Sequence, residues 1–269
     1  MDLWTRQPSH PLNHYIELLT YYKNYEPNYT STRMLPDGTT ELLIILDDIQ
    51  RVFYKDKRSV FSCKKAVISG PQKEYVYADA AGNSLLAVKF KAGGIYPFLS
   101  LPIFELDNLF VDADQFWGST ILSLREQLFE IDEPHQMFSL VENYLMGRLM
   151  QQEQPQLAIN SAVKFMKSSS LPMSQKEIAD TFGYSQKQFI HQFKKRVGLS
   201  PKYYQRVARF NKVLRKANQS PILNWSQIGP AYGFYDQAHL INEFRYFSGL
   251  KPKDYLEQKG EVPNFVPIY

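Results

Sequence analysis

The sequence has a single cysteine, Cys63, and no long apolar segment among its 269 residues. One cysteine excludes an internal disulfide and a zinc site built from several thiolates, and it is typical of a protein in a reducing compartment. The longest apolar run, 42–46, has the length of a strand, whereas a membrane-spanning helix needs about 18 apolar residues or more. The first residues lack a basic stretch followed by an apolar one, so we expect no secretion signal. These absences predict a cytoplasmic protein without a membrane partner.

Acidic side chains are scarce in the C-terminal part of the chain. Residues 155–269 carry 17 Lys and Arg but only 7 Asp and Glu, whereas residues 1–154 carry 14 and 20. A concentrated positive charge suits a domain that binds a polyanion, because the release of condensed counterions drives much of the affinity of proteins for nucleic acid. A basic surface that only keeps the domain soluble is the alternative that charge alone leaves open.

The hydrophobic pattern changes along the chain and divides it into two domains. Residues 1–150 are predicted to form a sensor or dimerisation domain, with short β-branched and aromatic runs between turn signals and then helical stripes. A polar segment at 151–156, which contains Pro155, is the predicted linker. A helical pattern dominates 157–260, and 261–269 is a C-terminal tail. The predicted strands of the first domain are Thr40–Leu46, Arg51–Tyr54, Ala66–Ser69, Glu74–Ala78 and Ser84–Phe90, and its predicted helices are Asp114–Phe129 and Met137–Leu149.

Two segments of the C-terminal part, Ile178–Tyr204 and Ile228–Tyr255, repeat one pattern of apolar residues and glycines. The offset is 50 residues before the turn and 51 after it, so the second turn is one residue longer. Each copy has a short helix, a glycine-containing turn and a longer second helix, which is the spacing of a helix-turn-helix. We predict an all-α domain with two such units, joined by a linker helix from Pro201 to about Lys216. The predicted N-caps of the first unit are Ser174, which forms a capping box with Glu177, and Ser185.

The second helix of each unit is the predicted recognition helix, which would lie in the DNA major groove and contact base edges. Phe189 and Phe193 must face the core of the first unit, as Leu240 and Phe244 must in the second, so the opposite faces are predicted to read bases. Glutamine and asparagine suit adenine, lysine suits guanine, and isoleucine and alanine suit the thymine methyl. The predicted base readers are Gln186, Lys187, Ile190 and His191 in the first unit and Gln237, Ala238, Ile241 and Asn242 in the second. For the two isoleucines, packing on a neighbouring helix is the alternative.

Basic residues near the recognition helices are the predicted phosphate contacts, which set the register on DNA without reading its sequence. They are Lys194, Lys195, Arg206, Arg209 and Arg245. Two recognition helices on a rigid linker helix would enter successive major-groove segments about 34 Å apart, so one subunit would read a long asymmetric site. His191 and His239 lack further ligands at metal spacing, and His239 is expected at a packing or phosphate-facing position. We therefore predict no metal, no cofactor and no catalytic residue.

The C-terminal part resembles the DNA-binding domain of the AraC/XylS family of transcription regulators. The matching positions are Ile178-Ala179, Gly183, Phe193-Lys194, Gly198-Leu199-Ser200-Pro201, Tyr204, Arg209-Phe210, Gly233-Phe234, Phe244-Arg245, Gly249, Pro252 and Tyr255. The resemblance implies a sequence-specific transcription factor with two helix-turn-helix units and no enzymatic activity.

The second unit departs from the family's pattern, because Ile228 is followed by Gly229 and Pro230. Glycine and proline inside a short helix weaken or bend it, so we hypothesise that this unit is less rigid and contributes less specificity. Lys216 stands where the family often has an apolar residue in the linker helix.

The N-terminal half resembles, more weakly, the sensor domains that precede such DNA-binding domains in poorly characterised members. That resemblance implies a cupin-like antiparallel β-barrel with dimerising helices, and hence an α+β multidomain protein. The positions that carry it are Leu35-Pro36-Asp37-Gly38, Glu41-Leu42, Gly70-Pro71, Phe90-Lys91-Ala92-Gly93-Gly94 and Pro97-Phe98. Four tyrosines could line a pocket, with packing at the surface as the alternative, namely Tyr21, Tyr22, Tyr25 and Tyr29. His10 and His14 have the spacing of metal ligands but lack a third ligand.

The sequence therefore predicts a one-component regulator whose acidic domain senses a signal or dimerises and whose basic domain binds double-stranded promoter DNA. A small-molecule effector and a homodimer both remain open. A barrel enzyme or sugar-binding protein with a helical accessory domain is one alternative, and it would need an acid–base or metal cluster within residues 1–150. A non-specific architectural DNA-binding protein is the other, and it would bind random duplex as tightly as a promoter.

Overall fold

A computed structural model describes residues 2–55, 60–80, 82, 84–149, 157–169, 173–219, 225–260 and 262–269. The N-terminal part forms two antiparallel sheets with helices, and the C-terminal part is helical, which confirms the predicted α+β fold class. The N-terminal part is called the sensor domain below, after the role that the sequence predicts for it. The predicted linker at 151–156 lies outside the described residues. The strands are β1 (Asp2–Arg6), β2 (Ile16–Lys23), β3 (Ser31–Met34), β4 (Glu41–Ile45), β5 (Arg51–Tyr54), β6 (Val60–Cys63), β7 (Ala66–Ser69), β8 (Val76–Asp79), β9 (Leu85–Phe90), β10 (Phe110–Asp112) and β11 (Phe265–Ile268).

The two sheets enclose one core, and a second core lies outside the larger sheet. The larger sheet has the order β1-β2-β9-β4-β7-β10, and the smaller has the order β11-β3-β8-β5-β6. Leu43 and Ile45 of β4 pack with Phe53 of the smaller sheet, whereas Leu42 and Ile44 belong to the core that includes the helices. Because β4 is buried on both faces, its sequence is a continuous apolar run rather than an alternation.

The helices of the sensor domain are α1 (Asp114–Trp117), α2 (Ser119–Phe129) and α3 (Pro134–Met146). The sequence pattern predicts a single helix over the first two, but Gly118 separates them with a φ of 59° and a ψ of −151°. An L side chain rarely adopts this conformation, so the glycine ends α1 and starts α2 at a new angle. Short 3-10 helices cover Leu12–His14, Tyr96–Phe98 and Ile103–Leu106.

The C-terminal helices form the two predicted helix-turn-helix units around one shared helix. They are α4 (Leu157–Ser168), α5 (Gln175–Thr181), α6 (Gln186–Val197), α7 (Pro201–Gln219), α8 (Trp225–Ala231), α9 (Gln237–Ser248) and α10 (Pro252–Gln258). The linker helix α7 has 19 residues and extends three residues beyond the predicted end at Lys216, which is exposed. Its Tyr204 packs in the core of the first unit, and its Phe210 and Val213 pack in the core of the second. Phe189, Phe193, Leu240 and Phe244 are buried in these cores, as the repeat predicts.

The predicted tail is part of the sensor domain's smaller sheet. Its strand β11 pairs antiparallel with β3, so that Phe265 lies opposite Met34 and Ile268 opposite Ser31. Val266 is fully buried in the core of the second helix-turn-helix unit, which also contains Leu35 of the sensor domain. The two parts of the chain are therefore joined by a shared sheet and a shared core.

The first helix of the second unit contains the glycine and the proline noted in the sequence. Helix α8 continues through Gly229 and Pro230 to Ala231. Pro230 has no N–H to donate to the residue four positions earlier, and its ring crowds the carbonyl group of that residue. The lower rigidity and lower specificity of this unit therefore stay a prediction. No helix that the structure describes combines the length and the apolar character needed to cross a membrane.

Candidate nucleic-acid interface

Local hydrogen bonds fix the start of the first recognition helix, α6. Ser185 Oγ accepts from the backbone N–H of Gln188 at 3.3 Å, and Gln188 Oε1 accepts from the backbone N–H of Ser185 at 3.1 Å. Ser174 and Glu177 form the same reciprocal pair at the start of α5. Such capping boxes satisfy backbone donors that the first turn of a helix leaves free. The two caps predicted from the sequence are thus confirmed.

The second recognition helix, α9, starts with a different cap. Asp236 Oδ1 accepts from the backbone N–H of His239 at 2.7 Å, and the Nδ1 atom of His239 accepts from the backbone N–H of Tyr235 at 3.1 Å. The His239 ring packs edge-on against Phe234, with 5.5 Å between ring centroids. His239 therefore has a structural role in the turn, and its proton lies on Nε2.

The predicted base readers lie on the open face of each recognition helix. The N-terminal side chains Gln186, Lys187, Gln237 and Ala238 are all exposed. His191 and Asn242, one turn further along, are exposed as well, whereas Ile190 and Ile241 are half-buried beside them. Both helices thus present a polar face with one isoleucine at the equivalent position, and this face is free to meet a groove.

Two of the five predicted phosphate contacts are engaged inside the protein. The Arg206 guanidinium donates to the Glu243 carboxylate at 2.7 and 3.0 Å, and Arg209 Nη2 lies 3.6 Å from the same carboxylate. Arg209 also donates to the carbonyl oxygen of Gly233 at 2.8 Å. These bonds connect α7 to α9 and to its preceding turn, so Arg206 and Arg209 have partners within the protein, and their contact with phosphate stays a prediction.

Burial and charge set the pKa of each group in this pair. Burial alone would raise the pKa of Glu243, but the hydrogen bond and the charge of Arg206 outweigh it and the pKa is lowered. The hydrogen bond to Glu243 raises the pKa of Arg206. The rings of Tyr203, Tyr246 and Phe247 surround the Arg206 guanidinium, with its carbon 5.0 to 5.3 Å from the ring centroids. Sequence reasoning missed Glu243, which is the only acidic residue of α9.

The other predicted phosphate contacts remain on the surface, but two of them also approach the sensor domain. Lys194 is exposed with its Nζ atom 6.0 Å from the centroid of the Phe104 ring, and Lys195 Nζ lies 5.6 Å from that of Tyr96. Arg245 on α9 is exposed. These three lysine and arginine side chains keep the positive charge of the interface.

The sensor domain contacts the C-terminal end of both recognition helices at equivalent glycines. A β-carbon on Gly198, which follows α6, would lie 2.5 Å from Pro71 Cγ, and one on Gly249, which follows α9, would lie 2.7 Å from Tyr75 Cζ. Both glycines have positive φ angles, of 88° and 70°. Arg33 of β3 also donates to the carbonyl oxygen of Ser248 at 3.2 Å. The sensor domain therefore holds the helix ends that lie away from the predicted base readers.

A small cavity with charged groups in its wall lies between β4, β9 and the C-terminal strand. Its volume is about 50 Å³, which is room for a few water molecules, and its lining includes Asp37, Glu41, Lys89 and Asn264. Lys89 donates to Asp37 at 2.5 Å and lies 4.0 Å from Glu41. Burial raises the pKa of Glu41 to about 7. Burial alone would lower the pKa of Lys89, but the two carboxylates raise it. The cavity thus contains more acidic than basic groups.

The other groups noted in the sequence form packing clusters. Tyr25 stacks edge-on against both Tyr22 and Tyr29, and its hydroxyl hydrogen-bonds that of Tyr29. The His10 and His14 rings pack edge-on at 5.2 Å. Among the described residues, no three His, Cys, Asp or Glu side chains come together as a metal site.

Comparison with known families assigns a model to each part of the chain. Residues 5–112 match a family described as a domain of unknown function, DUF6597, and residues 178–258 match a helix-turn-helix domain. No curated protein matches the chain. The helix-turn-helix match covers α5 to α10 and therefore includes every predicted base reader.

Several solved structures share the fold. ToxT of Vibrio cholerae strain SCE256 with a bound unsaturated fatty acid is 9% identical, covers 92% of this chain and 97% of its own, and superposes with a TM-score of 0.50. ToxT of Vibrio cholerae O395 bound to (E)-4-(8-methylnaphthalen-1-yl)but-3-enoic acid is 10% identical, covers 96% and 99%, and also has a TM-score of 0.50. A transcriptional regulator with an AraC-type DNA-binding domain from Chromobacterium violaceum is 27% identical over 39% of this chain and 95% of its own, with a TM-score of 0.37.

Proposed function

We propose that this DNA-binding transcription regulator, in which an AraC-type helix-turn-helix domain follows a DUF6597 domain, recognises a specific promoter sequence with both of its helix-turn-helix units. The observation that carries the proposal is the equivalent exposure of the two recognition faces. Each unit presents its N-terminal polar residues and one half-buried isoleucine to solvent, while its aromatic residues are buried. Buried aromatic residues are expected of any stable fold. The exposed face that both units repeat does not follow from stability, so it is the observation that supports recognition of DNA sequence.

The two faces differ in chemistry and are proposed to read unlike half-sites. The first carries Lys187 and His191, and the second carries Ala238 and Asn242 at the matching positions. Lysine favours guanine, asparagine favours adenine, and a small apolar side chain fits a thymine methyl. The helix that joins them has 19 residues and is therefore about 28 Å long. This length is compatible with two major-groove segments about one helical turn apart on one face of the duplex.

Control of DNA binding is proposed to pass through the contact between the sensor domain and the ends of the recognition helices. The two ToxT structures hold a fatty acid and a butenoic acid derivative, and on this basis we propose that the signal is a small molecule. The cavity beside β4 and β9 is too small for such a molecule, and Asp37 and Glu41 would repel a carboxylate. An effector that bound in this cavity would therefore have to be uncharged or cationic and to widen it. Dimerisation is the other proposed route for a signal.

Selection of duplexes from a random library, followed by footprinting on the selected DNA, tests the proposal. We expect one asymmetric sequence with protection over about two helical turns per subunit. Ile190→Ala and Ile241→Ala should both weaken binding to the selected duplex, and equal losses would count against the hypothesis that the second unit contributes less specificity. Glu257→Gln, on the exposed face of α10, is the matched control and should leave binding unchanged. Selection without enrichment would refute sequence-specific reading and would favour an architectural DNA-binding protein.

A further inference from the structure

We propose that Tyr235 anchors the second helix-turn-helix unit on DNA by donating its hydroxyl hydrogen to a backbone phosphate; the inference rests on the proposed function. Tyr235 is 90% exposed, more than any other large apolar or aromatic side chain that the structure describes. A tyrosine in this position gains almost nothing from burial, so the stability of the fold does not explain it. Contact with a partner outside the chain would explain why a tyrosine is placed here.

Tyr235 is also the extra residue of the second repeat. In the first unit Gly183 and Tyr184 are followed directly by the N-cap Ser185, whereas in the second unit Tyr235 stands between Phe234 and the N-cap Asp236. The longer turn therefore adds one side chain just before the start of α9, the recognition helix that carries Gln237 and Ala238. The insertion places an aromatic hydroxyl beside the predicted base readers of this unit only.

The backbone that carries Tyr235 is held in place while its side chain is free. Its N–H donates to His239 Nδ1 at 3.1 Å, and the next residue caps α9 by accepting from the N–H of His239 at 2.7 Å. The His239 ring is in turn packed on Phe234. A rigid turn reduces the conformational entropy lost when the exposed side chain binds, which favours contact with an external partner.

Charge explains why a tyrosine suits this place. The N-cap of α6 is the neutral Ser185, but the N-cap of α9 is Asp236, whose carboxylate repels a phosphate that approaches the start of the helix. A longer, neutral donor that projects beyond the carboxylate can still reach a phosphate, and tyrosine is among the side chains that make such contacts. The phosphate contact of the second unit is therefore assigned to Tyr235 rather than to the helix terminus.

Fluorescence anisotropy with the full-length protein tests the inference, using the selected duplex and a random duplex over a series of salt concentrations. Tyr235→Phe removes only the hydroxyl, and Tyr269→Phe, on a tyrosine that is 80% exposed beside the sensor sheet, is the matched control. We expect Tyr235→Phe to weaken binding to both duplexes equally, by about tenfold or more, the range for one hydrogen bond to a charged group. The slope of affinity against salt should not change, because the lost group is uncharged. Tyr269→Phe should bind like the wild type.

Single methylphosphonate substitutions along the duplex locate the contact. One position should weaken the wild type but leave the Tyr235→Phe variant unaffected, since the variant has already lost that bond. Equal binding by wild type and variant would overturn the inference, as would a loss confined to the selected duplex, which would indicate a base contact. Failure of the wild-type protein to bind any duplex would refute the proposed function itself, and the two failures are therefore distinguishable.

Discussion

Replacing Glu243 with glutamine removes the negative charge that Arg206 and Arg209 share, while it keeps the shape of the side chain. Glu243 is only 13% exposed, and the two hydrogen bonds from Arg206 measure 2.7 and 3.0 Å. Removing one partner of a fully buried ion pair costs about 3–5 kcal/mol. Arg206 is 30% exposed, so solvent screens part of its charge and the expected loss is nearer 2–3 kcal/mol.

Urea denaturation of the full-length protein measures this loss, with Glu257→Gln on α10 as the control for an exposed carboxylate. Because interactions in folding lower the pKa of Glu243, its stabilisation is present above the unfolded pKa, about 4.3, and disappears as the pH falls through the folded value. The difference between wild type and variant should therefore shrink in acid. A loss below about 0.5 kcal/mol at pH 7, the range of ordinary surface substitutions, would refute the structural role of the pair.

DNA binding separates this structural role from a phosphate contact. A phosphate contact by Arg206 would make Arg206→Gln reduce the slope of log affinity against log salt by about 1. The observed pair predicts instead that the variant weakens binding with the slope unchanged, because the guanidinium orients α9 and does not touch DNA. Lys194→Gln, on an exposed predicted phosphate contact, should reduce the slope and is the positive control. A reduced slope in both variants would support the predicted contact of Arg206 with phosphate.

Three further predictions concern the contact between the two domains. Gly198→Ala should lower the free energy of unfolding by about 2 kcal/mol or more, because the φ of 88° and the 2.5 Å approach to Pro71 act together. In Gly183→Ala, where φ is 74° and nothing lies within 4 Å, only the backbone strain of about 1 kcal/mol should remain. Equal losses would contradict the close contact. Glu41→Gln should raise the thermal midpoint above that of the wild type, and by more at pH 8 than at pH 5. The pKa of Glu41 is about 7 in the folded protein, so folding opposes ionisation of this carboxyl above the unfolded pKa, and glutamine removes that cost. A variant whose midpoint follows pH in the same way as that of the wild type would be evidence against this prediction. Deletion of residues 265–269 should lower the thermal midpoint and increase amide exchange in β3, which loses one of its two partner strands. Unchanged exchange in β3 would show that β11 does not pair with it in solution.

The helix-turn-helix part could be predicted closely because its determinants are local. Capping boxes join residues three apart, and the apolar period of each helix places Phe189 or Leu240 in the core without reference to the rest of the chain. The turn glycines Gly183 and Gly233 both adopt a φ of 74°, as the repeat implies. The same logic applies to β4, whose apolar run is long enough to be recognised.

The remaining features depend on partners that are distant in sequence. Strand β11 pairs with β3 more than 200 residues earlier, and a short segment that includes Pro267 gives no local sign of a strand, although an edge position accommodates the proline. The Arg206–Glu243 pair joins residues 37 apart, so the pattern of basic residues alone assigned Arg206 to DNA. The strands β1, β2, β3, β6 and β10 escaped prediction for a related reason, since neighbouring strands rather than their own sequences determine their pairing.

The positions of the domain contacts indicate what the sensor domain can regulate. It holds the ends of α6 and α9 at Gly198 and Gly249, whereas the predicted base readers lie toward the opposite ends and are exposed. A sensor domain that blocked DNA by covering the readers would bury Gln186 and Gln237, and it does not. If the N-terminal part regulates DNA binding as proposed, it therefore acts through the far ends of α6 and α9 and not by covering the predicted base readers.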